Sequence, residues 1–165
     1  MTGFMGVAPV LARALTKHGY IALTAVQSAV LEPGLEEADF LASAQTGSGK
    51  TVAFGLAMAP TLLGDADTFP TNADIPLALV VAPTRELAVQ VCNELEWLYK
   101  LTNARTVSCV GGMDMRRERR TLANGAHIVV GTPGRLCDHI RRGSLDMSAI
   151  RVVVLDEADE MLDLG

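Results

Sequence analysis

Short apolar runs that alternate with helix-length amphipathic stretches constrain this chain more than any other feature. From residue 40 onward the runs are "FLAS" (40–43), "LALVVA" (77–82), "TVSCV" (106–110), "HIVV" (127–130) and "RVVVLD" (151–156). Helical periodicity fills the intervals at 50–63, 85–99, 113–123 and 134–142. Strands that are apolar on both faces and separated by helices predict a parallel sheet covered on each side, because only crossover connections can join parallel neighbours. The expected fold class is α/β, a parallel β-sheet with helices on both faces.

Upstream, apolar residues at Val7, Val10, Leu11, Ala14 and Leu15 predict an amphipathic helix that Gly19 stops, and a second helix starts at Thr24 and ends before Pro33. The polar stretch 64–75 reads as a surface loop. A length of 165 residues suits one domain, and 49% hydrophobic with only 4% aromatic residues implies a core of Val, Leu, Ile and Ala. No run approaches the roughly 18 apolar residues of a membrane span, and no signal-type segment opens the chain, so a soluble, cytoplasmic protein is expected. Cys92, Cys109 and Cys137 lack metal-ligand spacing and read as buried reduced thiols. A net charge of −5 argues against a broad basic surface, so any nucleic-acid contact must be local and shaped.

The run at 40–43 leads into "AQTGSGKT", residues 44–51. Gly47 and Gly49 let backbone N–H groups turn inward, where they can bind phosphate oxygens. Lys50 adds a full positive charge to a helix N-terminus, and Thr51 offers a hydroxyl suited to Mg²⁺. Ala44, Gln45, Thr46, Gly47, Ser48, Gly49, Lys50 and Thr51 thus form a candidate nucleoside-triphosphate cradle. Ala44 stands where the strict pattern has its first glycine. The plainer reading is a Gly-rich turn that only joins a strand to a helix.

A cradle does not activate water, and "VVVLDEAD" (152–159) supplies acids at the end of another apolar run. Asp156 can order the hydration shell of Mg²⁺, while Glu157 can accept a proton from an attacking water or orient it. These acids can also simply begin a helix and oppose its dipole.

"AQTGSGKT", "PTRELA" (83–88), "GG" (111–112), "TPGR" (132–135) and "DEAD" (156–159) follow one another in the order and approximate spacing of DEAD-box RNA helicases. Over nearly its whole length the chain resembles the first of that family's two RecA-like domains, a P-loop NTPase fold. The resemblance implies residues 1–165 as an N-terminal ATP-binding domain incomplete at its C-terminus, with ATP and Mg as cofactors. It implies catalytic roles for Lys50, Asp156 and Glu157, with Thr51 and Asp156 toward the metal. It further implies an adenine-reading segment within residues 1–37, matched by "GYIALTAVQ" (19–27), in which Gln27 bonds one edge of adenine or is an ordinary exposed helix glutamine, and Tyr20 either lies beside the base or packs in the core. Leu23 and Ala25 replace the usual prolines there, and Thr2 stands where an aromatic is usual, with Phe4 nearby.

By the same resemblance Pro83, Thr84, Arg85, Gly111, Gly112, Thr132, Pro133, Gly134 and Arg135 line an RNA path and hold sugar and phosphate without reading sequence. Helix N-termini and Gly-rich turns can do this on an acidic chain. Either arginine can instead tie loops together internally. "RRERR" (116–120) reads as a solvated helix face and otherwise as an accessory basic patch. His18, His127 and His139 show no ligand spacing.

The family's Ser-Ala-Thr motif and its second domain, with arginines for the γ-phosphate, do not occur in these 165 residues. The expectation is therefore a longer natural protein, with the 165 residues binding nucleotide but turning it over poorly. The resemblance also puts the strand that carries Ser-Ala-Thr between the phosphate-loop strand and the "DEAD" strand, so a gap in the sheet is expected. Two other functions remain open: a non-catalytic nucleotide- and RNA-binding module, and a DNA-directed member of the wider superfamily.

Overall fold

The computed structural model describes residues 3–70 and 73–163. Its helices are α1 (Pro9–Lys17), α2 (Ala25–Ala29), α3 (Lys50–Leu63), α4 (Arg85–Leu98), α5 (Met115–Ala123), α6 (Pro133–Arg141) and α7 (Ala158–Asp163). The strands are β1 (Ala78–Val81), β2 (Thr106–Cys109), β3 (Ile128–Gly131) and β4 (Val152–Leu155), with a 3₁₀ turn at Lys100–Thr102. All strand pairs are parallel and the order is β2-β3-β1-β4. Ala78 lies opposite both Ile128 and Val152, and Thr106 opposite Ile128.

The period of two along each strand divides the interior into two cores. Ala78, Val80, Ile128 and Val130 pack with α1, α3 and α4 through Val10, Leu11, Leu56, Leu95 and Leu98. Leu79, Val107, Cys109 and Val129 face the other way, against Leu122 of α5, Leu136 of α6 and Leu145. This is the expected α/β architecture with helices on both faces. Among the described residues, no helix is long and apolar enough to cross a membrane.

Local chemistry sets the element ends. Thr24 and Gln27 form a reciprocal capping box at α2, Thr84 caps α4 by accepting from the Leu87 N–H, and proline opens α1 and α6. The fully buried Tyr99 hydroxyl donates to the Gly55 carbonyl at 2.6 Å and fastens the end of α4 to α3.

Three sequence expectations need correction. Residues 40–43 form no strand: they run as irregular backbone, with Leu41 91% exposed and Phe40 exposed as well. A parallel strand exists only against a hydrogen-bonded neighbour, and among the described residues this run has none. Cys137 is exposed on α6, unlike the buried Cys92 and Cys109. Lastly, β4 is apolar on both faces but covered on one, because its positions alternate between half-buried and exposed. Thr2 lies outside the described residues.

Candidate nucleotide site and nucleic-acid face

The phosphate turn is shaped by its glycines. Gly47 and Gly49 adopt φ of 79° and 84°, and Gly49 is the residue that caps α3. A side chain at Gly49 is excluded twice, since a Cβ there would sit 2.5 Å from the Gln27 amide nitrogen. Ala44, Gln45, Thr46 and Ser48 complete the turn, closed by a Ser48 N–H bond to the Gln45 carbonyl at 3.2 Å. The Ser48 hydroxyl is enclosed without a hydrogen-bond partner among the described residues. Lys50 and Thr51 occupy the first turn of α3, where free N–H groups and the helix dipole favour an anion.

At the far side, β4 delivers Asp156 and Glu157. The Asp156 N–H still bonds the Val81 carbonyl at 2.9 Å, so the main chain that carries this carboxylate is held by the sheet ladder. Glu157 turns sharply, with φ of 51° in the left-handed region, a strained setting for a non-glycine residue. Helix α7 starts only after it, and the acids that oppose the dipole of α7 are Asp159 and Glu160. Helix initiation alone therefore does not account for Asp156 and Glu157. Lys50 Nζ donates to Glu157 Oε1 at 3.1 Å, which joins the turn to the acid pair. Burial raises the Asp156 pKa, the Glu157 charge adds to this, and Lys50 opposes both.

Gln27 is fully buried, and its amide is committed at both ends. Its Oε1 accepts from the Thr24 N–H at 2.9 Å, and its Nε2 donates to the Gly49 carbonyl at 3.3 Å. The side chain thus couples α2 to the phosphate turn, and reading adenine requires one of these bonds to be exchanged. Tyr20 lies farther out, its ring 5.9 Å from Trp97 and 6.3 Å from His18, which itself stacks on Trp97 at 3.7 Å. Burial and Glu94 raise the phenol pKa.

The nine residues expected along the RNA path gather where α4 and α6 begin. Thr84 caps α4, Thr132 and Pro133 open α6, and a Cβ on Gly134 would meet open space. Pro83 precedes the Thr84 cap, and Arg85 is exposed. Its guanidinium lies over the Gly111–Gly112 turn so closely that a Cβ on Gly112, where φ is 84°, would collide with it. Arg135 Nη2 donates to the Met113 carbonyl at 3.0 Å, and Nη1 stands 3.6 Å from Glu118. Arg135 thus ties the end of the glycine turn to the start of α6, and Arg85, at the start of α4, packs over it.

Sequence reasoning missed Glu118 and His139. Within the "RRERR" run the arginines are exposed, but Glu118 is buried. Its Oε2 accepts from the Val110 N–H at 2.9 Å, and its Oε1 lies 2.8 Å from His139 Nε2. The other ring nitrogen of His139 is 2.8 Å from the Ser144 hydroxyl. The available signal was spacing: Glu118 and Leu122 share the inward face of a helix with charge all around it. Cys109, Glu118 and His139 offer ligand-type atoms within 4.8 Å of one another. With both carboxylate oxygens engaged and a guanidinium alongside, the cluster works as a hydrogen-bonded brace, and burial pushes the Cys109 thiol up to about 12.

The family model for DEAD/DEAH box helicases matches residues 24–165. The chain belongs to the DEAD/DEAH box helicase family. It is 40% identical, over all of its length and 34% of the relative, to the DEAD-box ATP-dependent RNA helicase CshA of Geobacillus kaustophilus. The CshA of Bacillus licheniformis is 42% identical over 94% of this chain and 30% of the relative. A DEAD-box ATP-dependent RNA helicase 9 from Oryza sativa subsp. japonica is 40% identical over 98% of this chain and 25% of the relative. The chain thus spans between 25% and 34% of the length of these curated relatives.

Proposed function

We propose that this chain is the nucleotide-binding part of an ATP-dependent RNA helicase, which binds and hydrolyses ATP with Mg²⁺ to remodel or locally unwind RNA. In this reading residues 1–165 are the N-terminal RecA-like domain, residues 1–37 its adenine-reading segment, and a second RecA-like domain completes the site. The protein works in the cytoplasm, the compartment that supplies both ATP and RNA. The observation that carries the reading is the Lys50–Glu157 pair at 3.1 Å, which couples a glycine-shaped phosphate turn to a half-buried acid beside the buried Asp156.

The turn from Ala44 to Thr51 offers N–H donors to the phosphates, and Lys50 adds a movable positive charge. A γ-phosphate exchanges with Glu157 as the partner of Lys50. Released, Glu157 can accept a hydrogen bond from water on the far side of the phosphorus and take its proton as that water attacks. Thr51 and the buried Asp156 fit a hard cation, since both present oxygen. Magnesium, when bound there, would supply charge neutralisation on the phosphate oxygens. Gln27 selects adenine by exchanging one amide bond, and Tyr20 packs beside the base. Thr84, Arg85, Thr132 and Arg135, with the N–H groups of the neighbouring glycines and helix starts, hold the RNA backbone and carry no sequence preference.

RNA-stimulated ATP hydrolysis on a version extended to the length of the relatives tests the reading. Lys50→Ala and Glu157→Gln are each expected to abolish it. The 165 residues alone are expected to turn over slowly, because a missing transition-state arginine costs about 10³–10⁵ in rate. Hydrolysis undiminished in both variants contradicts the residue roles, and nucleotide binding without any hydrolysis in the extended protein supports a non-catalytic module instead.

A further inference from the structure

We propose that the arginine face of α5, with the loop that follows α6, is a second phosphate-backbone site for single-stranded RNA that extends beyond the α4–α6 groove. This rests on the RNA reading of that groove. Residues 116–142 carry seven of the chain's 14 Lys and Arg side chains against two carboxylates, a local balance of +5 in a chain of −5. Arg116, Arg119 and Arg120 are spaced three and four apart, so they share one face of α5. They line a hollow of about 600 Å³ together with Asp74, Ser144 and Asp146. All three are exposed, and no guanidinium of the three has an ion-pair or hydrogen-bond partner among the described residues.

A surface helix laced with ion pairs would place acids opposite these arginines. Here the two carboxylates of the hollow, Asp74 and Asp146, form no ion pair with the three arginines among the described residues, and Asp146 instead accepts from the Ser148 N–H at 2.8 Å. The Ser148 side chain and N–H hold its pKa below the ordinary aspartate value. Like charges left unpaired around a concave surface repel one another, and a polyanion relieves this.

The shape favours a nucleic-acid strand. Arg116 to Arg120 rise about 6 Å along the helix, against about 3.4 Å of axis per phosphate along one strand of a duplex. The face therefore spans about two phosphates, which planar guanidinium groups bind bidentately. It begins at Arg116, four residues after the Gly111–Gly112 turn on which Arg85 lies, so it continues the proposed groove. No aromatic ring lines the hollow, so contact falls on the backbone and carries no base preference.

The test compares the 165-residue chain with the variant Arg116→Gln, Arg119→Gln, Arg120→Gln. Oligouridylates of about 6 and about 16 nucleotides bracket the footprint of single-strand-binding modules. Affinity is measured across a salt series, with Mg-ADP affinity as the control for folding. The expected result is that the variant keeps its affinity for Mg-ADP and for the short strand. On the long strand it loses at least about tenfold at low salt, and the log–log salt slope falls by about 1–2, since each phosphate neutralised on a single strand contributes about 0.7. Equal affinities and slopes for the two proteins on the long strand overturn the site while leaving the groove intact. Parent chain that binds neither strand overturns the groove reading and this one with it. Poly-glutamate that binds the parent as tightly as the long strand, and is lost equally in the variant, also overturns the proposal, because the face then takes acidic protein.

Discussion

The two margins of the sheet, β2 and β4, are both edge strands, yet they are finished differently. On β2 the buried positions are Val107 and Cys109, and the half-buried ones are Thr106 and Ser108. On β4 the half-buried positions are Val152 and Val154, and the exposed ones are Val153 and Leu155, at 54% and 59%. On β2 the Thr106 hydroxyl oxygen is enclosed and Ser108 lies beside Cys92 of α4, so that edge is covered on both faces, whereas β4 exposes aliphatic carbon on one. Register explains the geometry: Val153 lies opposite Leu79, on the face that α5 and α6 cover over β1, β2 and β3 but not over β4. An apolar edge strand with free N–H and C=O groups is also a template for pairing. The closed margin fixes the proposed RNA face, and the open margin carries the acids of the proposed nucleotide site.

The largest expected contrast is in stability. Leu136→Ala, in the core under α6, should cost about 2–5 kcal/mol, whereas Leu155→Ala on the open face should stay within about 0.5 kcal/mol. Urea denaturation of both variants checks this, and equal losses would mean that the β4 face is covered in solution.

Next in size is the brace of the closed margin. Glu118→Ala leaves the Val110 N–H, His139 and Arg135 without their shared acceptor and should destabilise by about 1–3 kcal/mol. Glu118→Gln keeps a neutral acceptor and should cost less, and the same denaturation series reports both.

Smaller again is the response of the open edge to charge. Val153→Lys should leave stability within about 0.5 kcal/mol and reduce self-association, read by light scattering over a concentration series. Association unchanged by this substitution would place the sticky surface elsewhere.

The smallest effect is on pH dependence. A metal requires Asp156 ionised, and burial with the neighbouring Glu157 raises its pKa above the ordinary 3.8. The gain in ADP affinity on adding Mg²⁺ should therefore shrink on acidification within the range above the ordinary aspartate pKa, before an ordinary aspartate would respond. Asp156→Asn should show little gain at any pH, and a parent profile flat throughout that range would contradict the role.

Much of this organisation is legible in the chain. Helix α3 begins at Lys50 and ends at Leu63, as its pattern predicts, because a glycine turn starts it and Gly64 stops it. The parallel sheet follows from apolar runs separated by helices. Legibility fails where an outcome depends on a neighbour. The run 40–43 has a strand's composition, but a strand needs a ladder partner, and composition cannot supply one. Cys137 and Glu118 were misjudged for a related reason, since burial depends on which face of a helix meets the sheet, and at Glu118 a buried backbone N–H and a histidine decide it. The double engagement of Gln27 was hidden because a capping box and a contact across 22 residues of sequence meet on one amide.

Titration calorimetry of Mg-ADP, on the chain and on Lys50→Ala, tests most directly whether a glycine-shaped turn and a distant acid pair together hold a nucleotide. The parent should bind ADP in preference to GDP, and the variant should bind ADP about 10–150-fold more weakly, the equivalent of about 1.5–3 kcal/mol for a charged hydrogen bond. Identical ADP affinity in the two proteins, or no heat from the parent at saturating nucleotide, would contradict the account.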